Sequence, residues 1–367
     1  MSKTRLQEKE VGDETYGFDA IRGTQAGHEF YVAMCPLKII PKLFIFNEFD
    51  LPPELRAQRT LRESRIPVIK NYILNNPDNY IFSSLTASVD GNMKFFPSPS
   101  LGDDAKLGRL YINMDARLLI NDGQHRRKAI EESLKEKPEL GREMISVVFF
   151  RDAGLKRSQQ MFSDLNKNAI KPTKSLNILY DHRDDFYQFI VGLTSTIDIF
   201  KNKVELEKTT ISNRSKKAFT LNAISDASMK LLGLGKTKKI SSKDKKTIQM
   251  FWETVSKNLP EWQLLLNGNV SSHELRKNYV NTHTNLLNSL GIAGRVIIQN
   301  YPDEWELKLR NLKKIDWSRK SPEWEGRIIK HGQMQKQTIA IELAANLILT
   351  KCGVSLSDER QEIEAKL

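Results

Sequence analysis

Leu118-Leu119-Ile120-Asn121-Asp122-Gly123-Gln124-His125-Arg126-Arg127-Lys128-Ala129 holds the turn on which the fold depends. An apolar, strand-like run stops at Asp122-Gly123, and a helix is predicted over 124–137. Asp122 is the expected N-cap, its carboxylate accepting from the first orphan amides. Gly123 lets the backbone turn tightly and leaves room for a ligand. The first turn of a helix favours Asp and Glu, because the amide dipoles leave partial positive charge there. This helix instead places His125, Arg126, Arg127 and Lys128 at that end, at a cost on the order of tenths of a kcal/mol each. Two readings follow. A bound phosphate would reverse the sign of that cost, with amides and guanidinium groups as its cradle. Otherwise the basic side chains pair with Glu131, Glu132 and Glu136 on a surface helix.

Before this turn, strand-like runs at 28–34, 80–89, 110–113 and 117–120 alternate with helical ones. After it, the wholly apolar 145–150 is predicted as a central strand. Helices are predicted at 37–46 despite Pro41, from Ile66 with Pro67 at its first position to the stop at Asn75-Asn76-Pro77, and over 155–167. Asp90-Gly91-Asn92 reads as a turn. Beyond Ser175 strand-like runs nearly vanish, and helical periodicity appears at 176–193, 220–232, 243–259, 275–299 and 339–349. The reading is α+β: a mixed α/β domain over 1–175, then a mostly helical domain over 176–367.

The 367 residues carry a formal net charge of +12, and 39% are hydrophobic, enough for a core and too many for a disordered chain. No apolar run approaches the roughly 20 residues that span a bilayer, and residues 1–14 lack the apolar stretch of a secretory signal. Two cysteines, Cys35 and Cys352, form no CxxC, and the six histidines show no metal-ligand spacing. The expectation is a cytoplasmic protein with no structural metal and no membrane partner. The charge is localised: residues 201–250 hold 13 Lys/Arg against 4 Asp/Glu, a net +9. Lys201, Lys203, Lys208, Arg214, Lys216 and Lys217 flank Thr209, Thr210, Ser212 and Asn213. That mixture of cations, hydroxyls and amides suits the phosphates of double-stranded DNA. Lys236, Lys238 and Lys239 follow Gly235, and 220–232 between the two groups reads as one helix of a helix-turn-helix. A solvated face or a flexible loop would produce the same charge pattern.

Asp122–Arg126 matches the DGQHR signature for which a domain family is named. Gly123-x-His125-Arg126-x-x-Ala129 resembles the element that, in the ParB/sulfiredoxin superfamily, sits between a strand and a helix and holds nucleotide phosphates. With Met34-Cys35-Pro36, Arg62-Glu63-Ser64-Arg65-Ile66-Pro67 and Phe162-Ser163-Asp164-Leu165-Asn166-Lys167-Asn168-Ala169, the chain resembles the DndB family over nearly its whole length. That resemblance implies a ParB/sulfiredoxin-like first domain and a transcriptional repressor of the bacterial DNA phosphorothioation operon, bound to its promoter. It also implies a pocket for ATP or another nucleoside triphosphate with Mg. Arg126, Gly123, Gln124 and the helix amides would hold phosphate. Asp122 would bind the metal or orient water, and His125 would contact or protonate an oxygen. Asn166 and Asn168 resemble a second, asparagine-containing motif of that pocket, or else cap a helix. Arg62 and Arg65 are either further phosphate contacts or surface arginines. Cys35 is either a buried small hydrophobe or a contact to modified DNA. No Walker A sequence is present, so an ATPase here would not be of P-loop type. A nuclease is a further reading, with only Asp122 to carry it. Repressors that meet palindromic sites act as homo-oligomers, and that is the expectation for assembly.

Overall fold

The computed structural model describes residues 14–44, 63–102, 104–151, 160, 161, 163–165, 172–235 and 239–367. The chain divides into two compact units, Met1–Ile170 and Lys171–Leu367.

The first unit is a seven-stranded mixed sheet in the order β4-β5-β1-β2-β7-β3-β6. Its strands are β1 (Thr15–Gln25), β2 (His28–Pro36), β3 (Leu85–Asp90), β4 (Met93–Pro97), β5 (Leu107–Asn113), β6 (Arg117–Asp122) and β7 (Met144–Arg151). Its helices are the single turn α1 (Ile40–Leu43), α2 (Ile66–Asn75) and α3 (Gln124–Glu136). Strand β1 is absent from the sequence reading. Its signal is a short alternation, Phe18 and Ala20 buried against exposed Asp19 and Ile21, followed by a tight reversal at Ala26 and Gly27, both at positive φ. The predicted helix over 37–46 shrinks to one turn, and the predicted strand over 80–89 pairs only from Leu85. The predicted helix over 155–167 lies largely outside the described residues.

Strand β7 is interior, antiparallel to β2 and parallel to β3. It is not buried on both faces, however: Ile145, Val147 and Phe149 face the core while Met144 is 55% exposed. The strand covered on both faces is β3, whose Leu85, Ala87 and Val89 join the core while Thr86 and Ser88 are buried on the opposite face. Strand β6 pairs with β3 at the end of the sheet and leads straight into α3. Helices α2 and α3 are joined by the Lys70–Glu136 ion pair and by Lys137 Nζ donating to the Leu74 carbonyl at 3.2 Å.

The second unit is helical: α4 (Lys174–Tyr180), α5 (Asp185–Thr196), α6 (Leu221–Leu232), α7 (Ser242–Asn258), α8 (Pro260–Leu266), α9 (Ser272–Asn278), α10 (Thr284–Asn300), α11 (Trp305–Leu309), α12 (Thr338–Lys351) and α13 (Asp358–Glu364). Two predicted helices are each broken in two. Asp184 caps a new helix after α4, and His283 caps another after α9, each accepting from a backbone amide two or three residues on. Phe200, Phe219, Trp252 and Trp262 form an aromatic cluster at the heart of this core, with ring centroids 5.0–6.4 Å apart. Helix α6 lies within the core, with Leu221, Ile224, Ser225, Ala227, Ser228 and Leu231 all buried. Gly291 of α10 sits against the Ala227 carbonyl, where a Cβ would collide. Helix α6 is therefore mostly a core helix, with Asp226, Met229 and Lys230 on its one half-buried side. Among the described residues, no helix is long and apolar enough to cross a membrane.

Candidate functional site

The β6–α3 junction is built around one glycine. Gly123 has φ +106, and a Cβ there would collide with Leu85. Both the left-handed backbone and the close approach of β3 demand a residue without a side chain. Asp122 is the last residue of β6 and is not the N-cap expected from the sequence. Gly123 holds that position and makes no side-chain cap bond. The Asp122 carboxylate instead accepts from Arg126 Nη2 at 2.9 Å. The reason is directional: with Gly123 in the left-handed region, Asp122 remains a strand residue one position too early to cap.

Arg126 turns back over the junction. Besides Asp122, its guanidinium donates to the Ser83 carbonyl and hydroxyl and, at 3.1 Å, to the Ser84 carbonyl. It thus ties the chain entering β3 to the chain leaving β6. Arg127 pairs with Glu131 at 2.5 Å and donates to the Pro41 carbonyl at 2.9 Å, holding α1 to α3. Lys128 lies 3.1 Å from Glu131 and 3.2 Å from Glu132. Lys135 and Lys128 together hold the Glu132 carboxyl below its ordinary range. Arg127 and Lys128 therefore find carboxylates one turn on, as the second of the two sequence readings has it, whereas Arg126 pairs back to Asp122 and Glu136 is taken by Lys70. Gln124 Nε2 donates to the Ile120 carbonyl at 3.2 Å, and His125 is half-buried and engaged. Beneath the turn, Asn121 is buried and donates to Ser88 Oγ at 2.6 Å and towards Met161 Sδ at 3.2 Å. What the junction still offers an anion is the set of first-turn amides of α3, which have no intrahelical acceptor, with Arg126 beside them.

Of the expected pocket arginines and asparagines outside the junction, Arg65 alone is described. Arg65 is exposed at the entrance of α2, and no hydrogen bond or ion pair joins it to the junction among the described residues. Arg62, Asn166 and Asn168 lie outside the described residues. Cys35 is corrected to a core position: it is fully buried in β2 opposite Ile145. Burial pushes its thiol up to about 12, away from the thiolate that reactive chemistry needs, so it has no surface with which to touch DNA.

The basic stretch of the second unit has a different construction. Two-residue strands β8 (Val204–Glu205) and β9 (Phe219–Thr220) pair in parallel and close the ends of a loop. Val204 and Phe219 are buried and anchor both ends in the core. The Glu205 carboxylate accepts from the Glu207 and Lys208 amides at 3.2 and 3.3 Å. Ser175 Oγ donates to the Lys208 carbonyl at 3.1 Å. On the far side Arg276 of α9 donates to the carbonyls of Ser212 at 3.0 Å, Asn213 at 3.3 Å and Ser215 at 3.2 Å, and to that of Lys217. Ser272 Oγ adds the Lys216 carbonyl at 2.8 Å. Lys201, Lys208, Arg214 and Lys216 are exposed, and Lys203 and Lys217 are half-buried. None of the six forms an ion pair among the described residues. Lys239 is also exposed, whereas Lys236 and Lys238 lie outside the described residues.

The fold adds cations that the sequence reading missed. Exposed Lys277 follows Arg276 on α9, and Arg319 is joined to that helix by its amide donating to the Asn278 carbonyl at 2.8 Å. Burial, and after it Arg319 and Lys336, holds His283 neutral down to about 4. Residues 60 to 120 positions beyond the basic loop give no local sequence signal of this proximity. No group of three His, Cys, Asp or Glu that could hold a metal occurs among the described residues.

No curated protein and no solved structure matches the chain. A family model described as DndB, DNA-sulfur modification-associated, matches residues 18–355, nearly the whole length. This chain belongs to the DndB family, which is associated with the sulfur modification of DNA.

Proposed function

We propose that this protein is a DNA-binding regulator, a repressor, of the DNA phosphorothioate modification operon, and that the 201–217 loop grips duplex phosphate. One observation carries this reading. Six cations stand against two carboxylates, Glu205 and Glu207, on a loop closed by a ladder and braced by Arg276, and none of the six is ion-paired among the described residues. Unpaired lysines keep their counterions in solution, and releasing those counterions to DNA is the main source of non-specific affinity. A braced loop loses little further entropy on binding. Backbone contacts of this kind position the duplex, and base reading lies elsewhere. The test is a fluorescence anisotropy titration with DNA from upstream of the operon at several salt concentrations. The expected log–log slope is about −0.9 per neutralised phosphate. Absence of a complex at low salt refutes the reading.

The β6–α3 junction supports a second component, a nucleotide phosphate in the manner of the ParB/sulfiredoxin superfamily. A left-handed glycine, first-turn amides and a pre-placed guanidinium favour an anion there. The phosphate would compete with Asp122 for Arg126. Magnesium fits less well, since among the described residues Asp122 is the one carboxylate at the turn. Nucleotide binding and phosphate release compared between wild type and Arg126→Ala test this component, with the Asn121→Ala protein as a check on folding; equal behaviour of wild type and Arg126→Ala removes the site.

A further inference from the structure

A cleft of about 620 Å³ opens among α6, α10, α12 and α13 in the second unit. That volume falls in the range of small-ligand sites. Three features make it more than a gap between helices. Asn288, on its floor, is 6% exposed, and its Oδ1 has no hydrogen-bond partner among the described residues. A buried carbonyl oxygen that accepts nothing is unfavourable and calls for a donor. Arg295, two turns along α10, lays its guanidinium on the bare backbone of Gly233, where φ is +66 and any Cβ would strike it. Neither Arg295 nor Lys230, also on the wall, has an ion-pair partner among the described residues. The third feature is a fixed far wall: Arg360 is held by Glu342 at 3.3 Å and by Asn346 Oδ1 at 2.9 Å. Met229, Ile292 and Val296 supply apolar surface to the lining, and its carboxylates are Asp226, paired with Lys174, Glu342, paired with Arg360, and Glu359.

We propose that this cleft binds a nucleoside monophosphate, with an N–H of the base donating to Asn288 Oδ1 and the phosphate held by Arg295 and Lys230. Two unpaired cations suit a doubly charged group better than a carboxylate. A lone acceptor selects an N–H donor. Asn288 and Arg295 are seven residues apart on one helix, a rise of about 10 Å, which is the span from base edge to phosphate in a nucleotide. The apolar side chains of the lining would pack against the base and sugar. This site is separate from the β6–α3 junction and from the basic loop.

The test is isothermal titration calorimetry of the full chain with AMP, GMP, CMP and UMP, with inorganic phosphate and adenosine as comparisons. One of the four monophosphates is expected to bind at one site per chain, and phosphate and adenosine about tenfold more weakly or less. Arg295→Ala, at an exposed position that should fold normally, is expected to weaken the monophosphate about tenfold while leaving adenosine unchanged. Lys230→Ala should act in the same direction. Asn288→Leu should weaken both nucleotide and nucleoside, provided its thermal unfolding matches wild type. Arg126→Ala should change none of these affinities. Absence of binding by all four nucleotides overturns the proposal, as does binding that survives Arg295→Ala and Lys230→Ala. Loss of nucleotide binding in Arg126→Ala alone also overturns it, and assigns the nucleotide to the β6–α3 junction instead.

Discussion

At the β6–α3 junction Arg126, Arg127 and Lys128 each meet a carboxylate within 3.2 Å, whereas in the 201–217 loop none of six cations does so among the described residues. Both stretches read as basic in the sequence. The difference lies in the register of the acids. On a helix, a carboxylate three or four residues on faces the cation, so Glu131 and Glu132 neutralise the residues one turn earlier. On the loop, Glu205 spends its carboxylate on backbone amides, and among the described residues no carboxylate pairs with the six cations. The two arginines that shape these regions show the same contrast. Arg126 is shared between carbonyls and Asp122, while Arg276 serves four carbonyls and no acid. A guanidinium given wholly to backbone carbonyls fixes a loop without cancelling the charge the loop displays.

The sharpest way to break this comparison is to reverse the loop's charge. Lys208→Glu, Arg214→Glu and Lys216→Glu together should weaken duplex binding by about a thousandfold and flatten the salt slope by about 3, measured by anisotropy. Equal affinity would show that the unpaired loop is merely solvated. At the junction, Gly123→Ala should cost about 3 kcal/mol, from left-handed strain and the collision with Leu85, read by denaturant unfolding. A loss under about 1 kcal/mol would mean that the turn relaxes freely.

His283 reports on the cationic surroundings of the second unit. The folded protein keeps it neutral down to about 4, because of burial first and then Arg319 and Lys336. The unfolded chain takes up the proton near 6.5. Its contribution is therefore intact above about pH 6.5 and is lost as pH falls towards 4. Between those limits His283→Asn should remove about 3 kcal/mol of the pH dependence of stability. An unchanged pH profile would show that these cations do not act on the imidazole. The smallest expected effect is Glu131→Gln, which removes the carboxylate from Arg127 and leaves Lys128 with Glu132 alone. It should lower stability by about 1 kcal/mol and raise the affinity of the junction for inorganic phosphate, making it more like the loop. Unchanged phosphate affinity would separate local charge from anion binding at this turn.

Much of this contrast was legible in advance. The strand–glycine–helix turn, the capping stop at Asn76 and the concentration of lysines after residue 200 all come from local residue types. The pairing of α3's basic side chains with Glu131 and Glu132 was one of two readings, and spacing alone could not choose between them. Asp122 was misplaced as a cap because the left-handed φ of Gly123 depends on β3 lying against it. Cys35 was left open between core and surface because alternation along β2 fixes its face only once β7 is paired.

The sequence alone determined where helices and strands change over, where charge accumulates and which glycine must turn, because those depend on neighbours within a few residues. Tertiary structure alone decided which cations stay unpaired, which arginine braces the basic loop and which asparagine oxygens, Asn281 and Asn288, are left buried without a donor among the described residues. Those outcomes depend on groups some 60 positions or more apart in the chain, such as Arg276 and Ser212, meeting at hydrogen-bond distance.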